Sequence, residues 1–233
     1  MDFDKSKCRD RYSRNIGAIS KEEQAILQQK SVCIIGCGGL GGGVIENLVR
    51  IGVGKLTVVD CDIFDVTNLN RQVLSNESNI GKSKAAEAAS QMKLINSEVD
   101  ITPIQAELIE ENCRNIIAGH DLVIDAVDNI KARLILEEAC EEEGVTLIHG
   151  AIAGWNGQVA VIRPGDKILQ NIYQGNEDRG DELQTGNPSF TPAVVSGLQT
   201  AEAIKVLLGR ESVLEKKMLM IDLLEHEYEV ITL

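Results

Sequence analysis

Ser31-Val32-Cys33-Ile34-Ile35-Gly36-Cys37-Gly38-Gly39-Leu40-Gly41 is the stretch on which the fold turns. The run Ser31 to Gly36 is β-branched and apolar on both parities, as a strand buried on both faces of a parallel sheet requires. Gly36, Gly38 and Gly41 stand as G-x-G-x-x-G, and Leu40, Val44, Leu48 and Ile51 then recur at helical spacing. Lys55 to Asp60 reads as a second buried strand, so the unit is strand, glycine turn, helix, strand. Glycines in such a turn permit a tight bend and bring phosphate close to the helix N-terminus. Asp60, 19 residues after Gly41, stands where a carboxylate accepts hydrogen bonds from ribose hydroxyls. The pattern predicts an adenosine-containing ligand and leaves NAD and ATP both open.

Outward from this unit the alternation continues. Ser20-Lys21-Glu22-Glu23 has capping-box spacing and predicts a short helix to about Lys30. Helices over Lys84 to Ile95, Leu108 to Ala118 and Asn129 to Glu143 interleave with strands at Val99 to Ile104, Leu122 to Val127 and Val145 to His149. Beyond Gly150 come a strand over Gly157 to Arg163 and a polar, aperiodic stretch from Pro164 to Asn187, expected to be a mobile crossover loop. An apolar helix over Pro192 to Leu208 and strands near Met218 to Asp222 and Tyr228 to Leu233 follow. The expectation is a single α/β domain over residues 1–233, with a Rossmann-like, doubly wound, mostly parallel sheet and antiparallel C-terminal strands.

Composition narrows the function classes. With 233 residues, 43% of them hydrophobic, the chain can bury one sizeable core. A net charge of -13 disfavours nucleic acid as a partner, because phosphate backbones are repelled. No stretch reaches the roughly 18 uninterrupted apolar residues of a membrane helix, and Met1 to Lys7 lacks the apolar core of an export signal. The six cysteines form no C-x-x-C pair, which predicts small buried residues in a reducing cytoplasm and no zinc.

The segment after Asp60 weighs between cofactors. Asp60-Cys61-Asp62, Thr67-Asn68-Leu69-Asn70-Arg71-Gln72 and Lys84 supply two cations and several amides. Hydride transfer needs few of these, whereas a triphosphate attacked at its α-phosphorus needs cations where charge develops. Asp128-Asn129, at the mouth of the strand Leu122 to Val127, offers a carboxylate for Mg²⁺. Taken singly, Arg71 and Lys84 also read as solvated charges and Asp128 as a helix N-cap; their joint placement after strand ends is what carries the reading. Gly81-Lys82-Ser83 is no P-loop tail, since the first glycine of that motif would fall at Asn76 and no strand leads into it.

These residues together resemble the E1-like superfamily of activating enzymes, of the MoeB, ThiF and HesA type. The resemblance rests on Arg11-Tyr12-Ser13-Arg14, the glycine turn, Asp60 to Asp62, Asn68 to Gln72, Lys84, Asp125 with Asp128-Asn129, Gly154 to Gln158, and Leu198-Gln199 with Glu202-Ala203. It implies a nucleotide site built from Gly36, Gly38, Gly39, Gly41, Asp60 and Asp62, completed by Asn68, Arg71, Gln72, Lys84, Asp128 and Asn129. Arg14, Arg71, Lys84 and Asp128 would be the catalytic set, with Asp128 holding Mg²⁺ and Arg14 reaching into the ATP site of a neighbouring subunit of a homodimer.

The activity this implies is ATP-dependent adenylation of the C-terminal glycine carboxylate of a ubiquitin-like sulfur carrier ending in Gly-Gly. A tRNA nucleoside carboxylate is the alternative substrate within the superfamily, and an NAD-dependent oxidoreductase or a non-catalytic ATP-binding scaffold are the alternatives outside it. The paired C-x-x-C motifs of zinc-binding relatives are missing, and Pro164 to Asn187 offers no thiol for a covalent second step. Cys37 reads as a small residue fitting a tight turn, His149 as a hydrogen-bonded histidine at the sheet edge, and Trp155 as a packing residue.

Overall fold

The computed structural model describes residues 11–173 and 185–233, and the elements follow the predicted order. Helix α1 (Lys21–Leu27) opens with the expected capping box: Ser20 Oγ accepts from Glu23 N at 3.1 Å and Glu23 Oε2 from Ser20 N at 2.8 Å. Strand β1 (Ser31–Ile35), helix α2 (Gly39–Ile51) and strand β2 (Lys55–Val59) form the first unit, and a 3₁₀ turn (Val66–Asn68) follows. Then come α3 (Lys84–Ile95), β3 (Asp100–Ile104), α4 (Glu110–Ile117), β4 (Leu122–Asp125), α5 (Ile130–Glu143), β5 (Leu147–Ala153) and β6 (Asn156–Ile162). The described remainder is α6 (Ile168–Ile172), α7 (Phe190–Leu207), β7 (Lys217–Asp222) and β8 (Glu227–Thr232).

The eight strands form one sheet in the order β3-β2-β1-β4-β5-β6-β7-β8. The pairings from β3 through β5 are parallel, and those from β5 to β8 are antiparallel. Strand β1 shows why the apolar run had no alternation. Val32 and Ile34 enter the core cluster shared with α2, α3 and α7, while Cys33 and Ile35 enter the cluster shared with α4 and α5. Helices cover both faces, so both parities must be apolar.

Two departures from the predicted boundaries have physical causes. Strand β5 runs on to Ala153, because β6 pairs with it along its whole length, from Leu147↔Ile162 to Ala153↔Asn156. The polar stretch Pro164 to Asn187 contains α6, whose first amides are met by a distant side chain: Glu137 of α5 accepts from Leu169 N at 2.7 Å and Gln170 N at 2.9 Å. Local periodicity cannot reveal a cap borrowed across 32 residues. Residues 174–184 of that stretch, and the first ten residues including Cys8, lie outside the described residues.

Gln199 pins α7 to the sheet. Its Nε2 donates to Asp125 O at 2.8 Å and Ile148 O at 3.3 Å, bridging the ends of β4 and β5 with a side chain that is wholly buried. Gln199→Leu strands those carbonyls without a donor, and urea denaturation is expected to register a loss of about 1–3 kcal/mol.

Candidate active site

The strand order reverses between β1 and β4, and at such a switch point the loops leaving the two strands diverge and open a crevice. A cleft of about 650 Å³ lies there. One wall carries Gly36, Gly38 and Gly39 of the turn, Asp60 and Asp62 beyond β2, and Arg71, Gln72 and Lys84. The other carries Leu108 and Ile109 ahead of α4, with Asp128 and Asn129 ahead of α5.

Three predicted residues are not brought to the cleft surface. Gly41 supports it from below: a Cβ there would stand 1.8 Å from Gly36 O, so the glycine serves the crossing of α2 over the turn. Asn68 is buried and turned inward, its Oδ1 accepting from Asp65 N at 3.0 Å to close the 3₁₀ turn that presents Arg71. Arg14 is exposed and absent from the lining; the neighbouring Tyr12, which accepts from Asn96 at 2.9 Å, anchors its segment elsewhere on the chain. Trp155 packs against Phe190 with the rings tilted and their centroids 4.4 Å apart, and is likewise not part of the cleft lining.

Asp60 is locked by the turn it faces. Its Oδ2 accepts from Cys37 N at 2.7 Å and its Oδ1 from Asp62 N at 2.8 Å. Burial raises its pKa, and these backbone bonds oppose the rise without cancelling it. A raised folded-state pKa makes Asp60's own contribution to stability fullest below its ordinary value of 3.8 and removes it as pH climbs through the shifted value. A carboxylate that accepts from ribose hydroxyls runs the other way, since it must be ionised. Calorimetric titration with ATP across a pH series is therefore expected to show affinity falling, on acidification, at a higher pH than an unperturbed aspartate would dictate.

Lys84 begins α3, and its side chain is 8% exposed while that of its partner Asp62 is 62% exposed; Nζ meets Asp62 Oδ2 at 2.8 Å. The lysine side chain is thus largely buried, and its ammonium is held at the cleft by a solvated carboxylate. Arg71 Nη1 donates to Thr67 O at 3.1 Å and Asn70 Oδ1 at 2.9 Å, which braces the guanidinium against its own turn. Asn129 caps α5, its Oδ1 accepting from Ala132 N at 2.8 Å, and leaves Asp128 exposed at the cleft mouth.

Beneath Asp128 lies a buried charged cluster. Asp125 Oδ2 receives His149 Nδ1 at 2.6 Å and faces Arg133 Nε at 3.8 Å. Gln158 Nε2 lies 3.0 Å from His149 Nε2 and 2.9 Å from the Tyr173 hydroxyl. With the amide donating to Nε2, the imidazole carries its proton on Nδ1 and donates to Asp125.

The model of the family described as "ThiF family" matches residues 12–233. The chain belongs to the ThiF family. Among curated members, it is 34% identical over 95% of its length to a SAMP-activating enzyme E1 of Haloferax volcanii, covering 84% of that protein. It is 35% identical over 96% of its length to a sulfur carrier protein adenylyltransferase of Thermus thermophilus, covering 86% of it, and 33% identical over 91% to a molybdopterin-synthase adenylyltransferase of Salmonella typhimurium, covering 87%. Among solved structures, E. coli MccB with ATP shares the fold at a TM-score of 0.81 and 22% identity, over 96% of this chain and 71% of that one.

Some residues of this ThiF-family cleft escaped the motif reading. Lys131, Arg133 and Asn187 all line it. Lys131 and Asn187 follow no spacing that marks a ligand. Arg133 did leave a signal, since it interrupts the buried stripe of α5 together with Glu137, among Ile130, Leu136 and Cys140. The cysteines behave as small apolar residues. Burial pushes the thiols of Cys33, Cys37 and Cys140 up, and that of Cys113 up to about 12, so none of these is a ready thiolate. Cys61, exposed at the cleft, is also raised, by burial first and then by Asp62 and Asp60.

The donor set fits magnesium. Asp128 is an exposed carboxylate with no ion-pair partner among the described residues, next to a cleft large enough for a nucleotide. Mg²⁺ typically binds ATP through one or two carboxylates plus phosphate oxygens and water.

Proposed function

We propose that this protein adenylates the C-terminal glycine carboxylate of a ubiquitin-like sulfur carrier ending in Gly-Gly, using ATP and releasing pyrophosphate. What carries the reading is the convergence of Arg71, Lys84 and Asp128 on the one cleft floored by the glycine turn. The names of the ThiF-family relatives point to the same substrate class.

The chemistry follows from charge. A carboxylate is a poor electrophile; its oxygen attacks the α-phosphorus, the bond to the bridging oxygen breaks, and pyrophosphate departs with that electron pair. Asp60 holds the ribose hydroxyls, and the main chain at Gly38 and Gly39 lets the phosphates approach α2. Arg71 and Lys84 offset the charge that grows on the phosphoryl oxygens, which is where a fixed cation lowers the barrier most. Mg²⁺, held by Asp128, would neutralise and orient the phosphates when bound. No side-chain nucleophile enters this half-reaction. In this reading the chain acts as one domain in a cytoplasmic homodimer, with Arg14 completing the neighbour's site.

Pyrophosphate exchange tests it. Labelled pyrophosphate is expected to enter ATP only when magnesium and a carrier ending in Gly-Gly are both present. Exchange with a carrier whose terminal carboxylate is amidated would overturn the assignment of that carboxylate as the adenylyl acceptor, and failure with every Gly-Gly carrier offered would overturn the activity.

A further inference from the structure

Asp128, for which no ion pair holds the side chain among the described residues, is aimed by its backbone. The residue before it, Val127, is gripped at both polar groups: its N–H donates to Asp125 Oδ1 at 3.1 Å, and its carbonyl accepts from Arg133 Nη2 at 2.9 Å. The two gripping side chains face each other at 3.8 Å and are both more than nine-tenths buried. His149 Nδ1 bonds the same carboxylate oxygen that faces Arg133, and Tyr173 lies against the guanidinium, with Arg133 Cζ 5.9 Å from the ring centroid. A buried ion pair costs desolvation, and an apolar pair of similar volume often serves stability as well. Its retention directly beneath an otherwise unsupported carboxylate has a better use.

We propose that Asp125 and Arg133 are positioning residues for Asp128: as a clamp on the Val127 peptide unit they set the direction of the carboxylate that holds magnesium. The inference rests on the reading of Asp128 as the magnesium residue. Asn129, capping α5 on the other side of Asp128, completes the brace, so the turn is held at both ends.

Arg133→Lys separates this role from bulk stability. Lysine keeps a cation opposite Asp125 but is a point donor, so it cannot face the carboxylate and reach the Val127 carbonyl as the planar guanidinium does. ATP affinity is measured by calorimetry with magnesium and, separately, with EDTA. Arg133→Lys is expected to shrink the magnesium-dependent gain, taken as the ratio of affinity with magnesium to affinity in EDTA, about three- to tenfold, the size of one lost hydrogen bond; any direct loss at the cleft wall, which Arg133 also lines, falls on both affinities and cancels in the ratio. Asp128→Asn is expected to abolish the gain, and Arg133→Lys in that background to remove nothing more. Asp125→Asn, which keeps an acceptor for Val127 N but withdraws the negative charge facing the guanidinium, gives a second test should the lysine variant fold poorly, and is expected to shrink the magnesium-dependent gain in the same direction. If Asp128→Asn leaves the magnesium gain intact, the assignment of Asp128 is wrong. If Asp128→Asn abolishes it but the clamp variants do not reduce it, or reduce affinity equally in EDTA, the positioning role is wrong.

Discussion

Lys84→Ala is expected to slow adenylate formation by about 10²–10³-fold and to leave the fold standing, as removal of a fixed donor from a site of developing charge does elsewhere. The reasoning joins geometry to solvation. Lys84 is buried along its stem and presents Nζ to the cleft beside Asp62. Its charge is therefore available to phosphoryl oxygens at no cost of reorganisation when charge builds there. Asp62, the ion-pair partner left behind, is 62% exposed and remains hydrated. The measurement is pyrophosphate exchange at saturating ATP and carrier, alongside thermal denaturation of the same preparations. A variant that exchanges at the wild-type rate removes Lys84 from the phosphate site; one that melts far earlier shows a structural residue instead.

Gly41→Ala acts through the opposite link, from packing to site. The added methyl would stand 1.8 Å from Gly36 O and 3.2 Å from Ala126 Cβ, and the first of these is main chain that cannot rotate aside. Gly36 cannot retreat either: it sits at φ +97°, and its own Cβ position lies 2.5 Å from Ala126 O. Helix α2 must lift from the turn, at an expected cost of about 3 kcal/mol or more, at the upper end of overpacking penalties. At roughly 2–4 °C per kcal/mol for a chain of this size, the melting temperature falls by about 6–12 °C. ATP affinity is expected to fall with it, because a lifted α2 carries its N-terminal amides away from the turn where phosphate would rest. A variant with unchanged melting temperature would mean that the turn and α2 are not held in this contact.

The two variants mark how unevenly the site was written along the chain. Gly36, Gly38, Gly39 and Asp60 were legible as residues of one cleft because a tight strand-to-helix turn imposes local spacing on consecutive residues, and local spacing is what a sequence displays. Arg71, Lys84 and Asp128 could be chosen only as charges placed just beyond strand ends. Asn68 shows the limit of that reasoning: an amide beside Arg71 in the chain turns inward to close the turn, because Asp65 N requires an acceptor there.

The cluster beneath Asp128 was not legible as a unit. Asp125, Arg133 and His149 come from β4, α5 and β5, and only parallel pairing of Asp125 with His149 brings two of them level. The same holds for Glu137, whose cap on α6 turned part of an expected loop into helix.

What the sequence by itself determined is the layered α/β sheet, the glycine turn between its first strand and helix, and the class of chemistry. These follow from period, glycine placement and charge sign, all properties of neighbouring residues. What only the tertiary structure decided is which polar groups are desolvated together. A buried pair such as Asp125 and Arg133 owes its geometry to the register of strands and the packing of a helix across them, and neither residue carries that information alone.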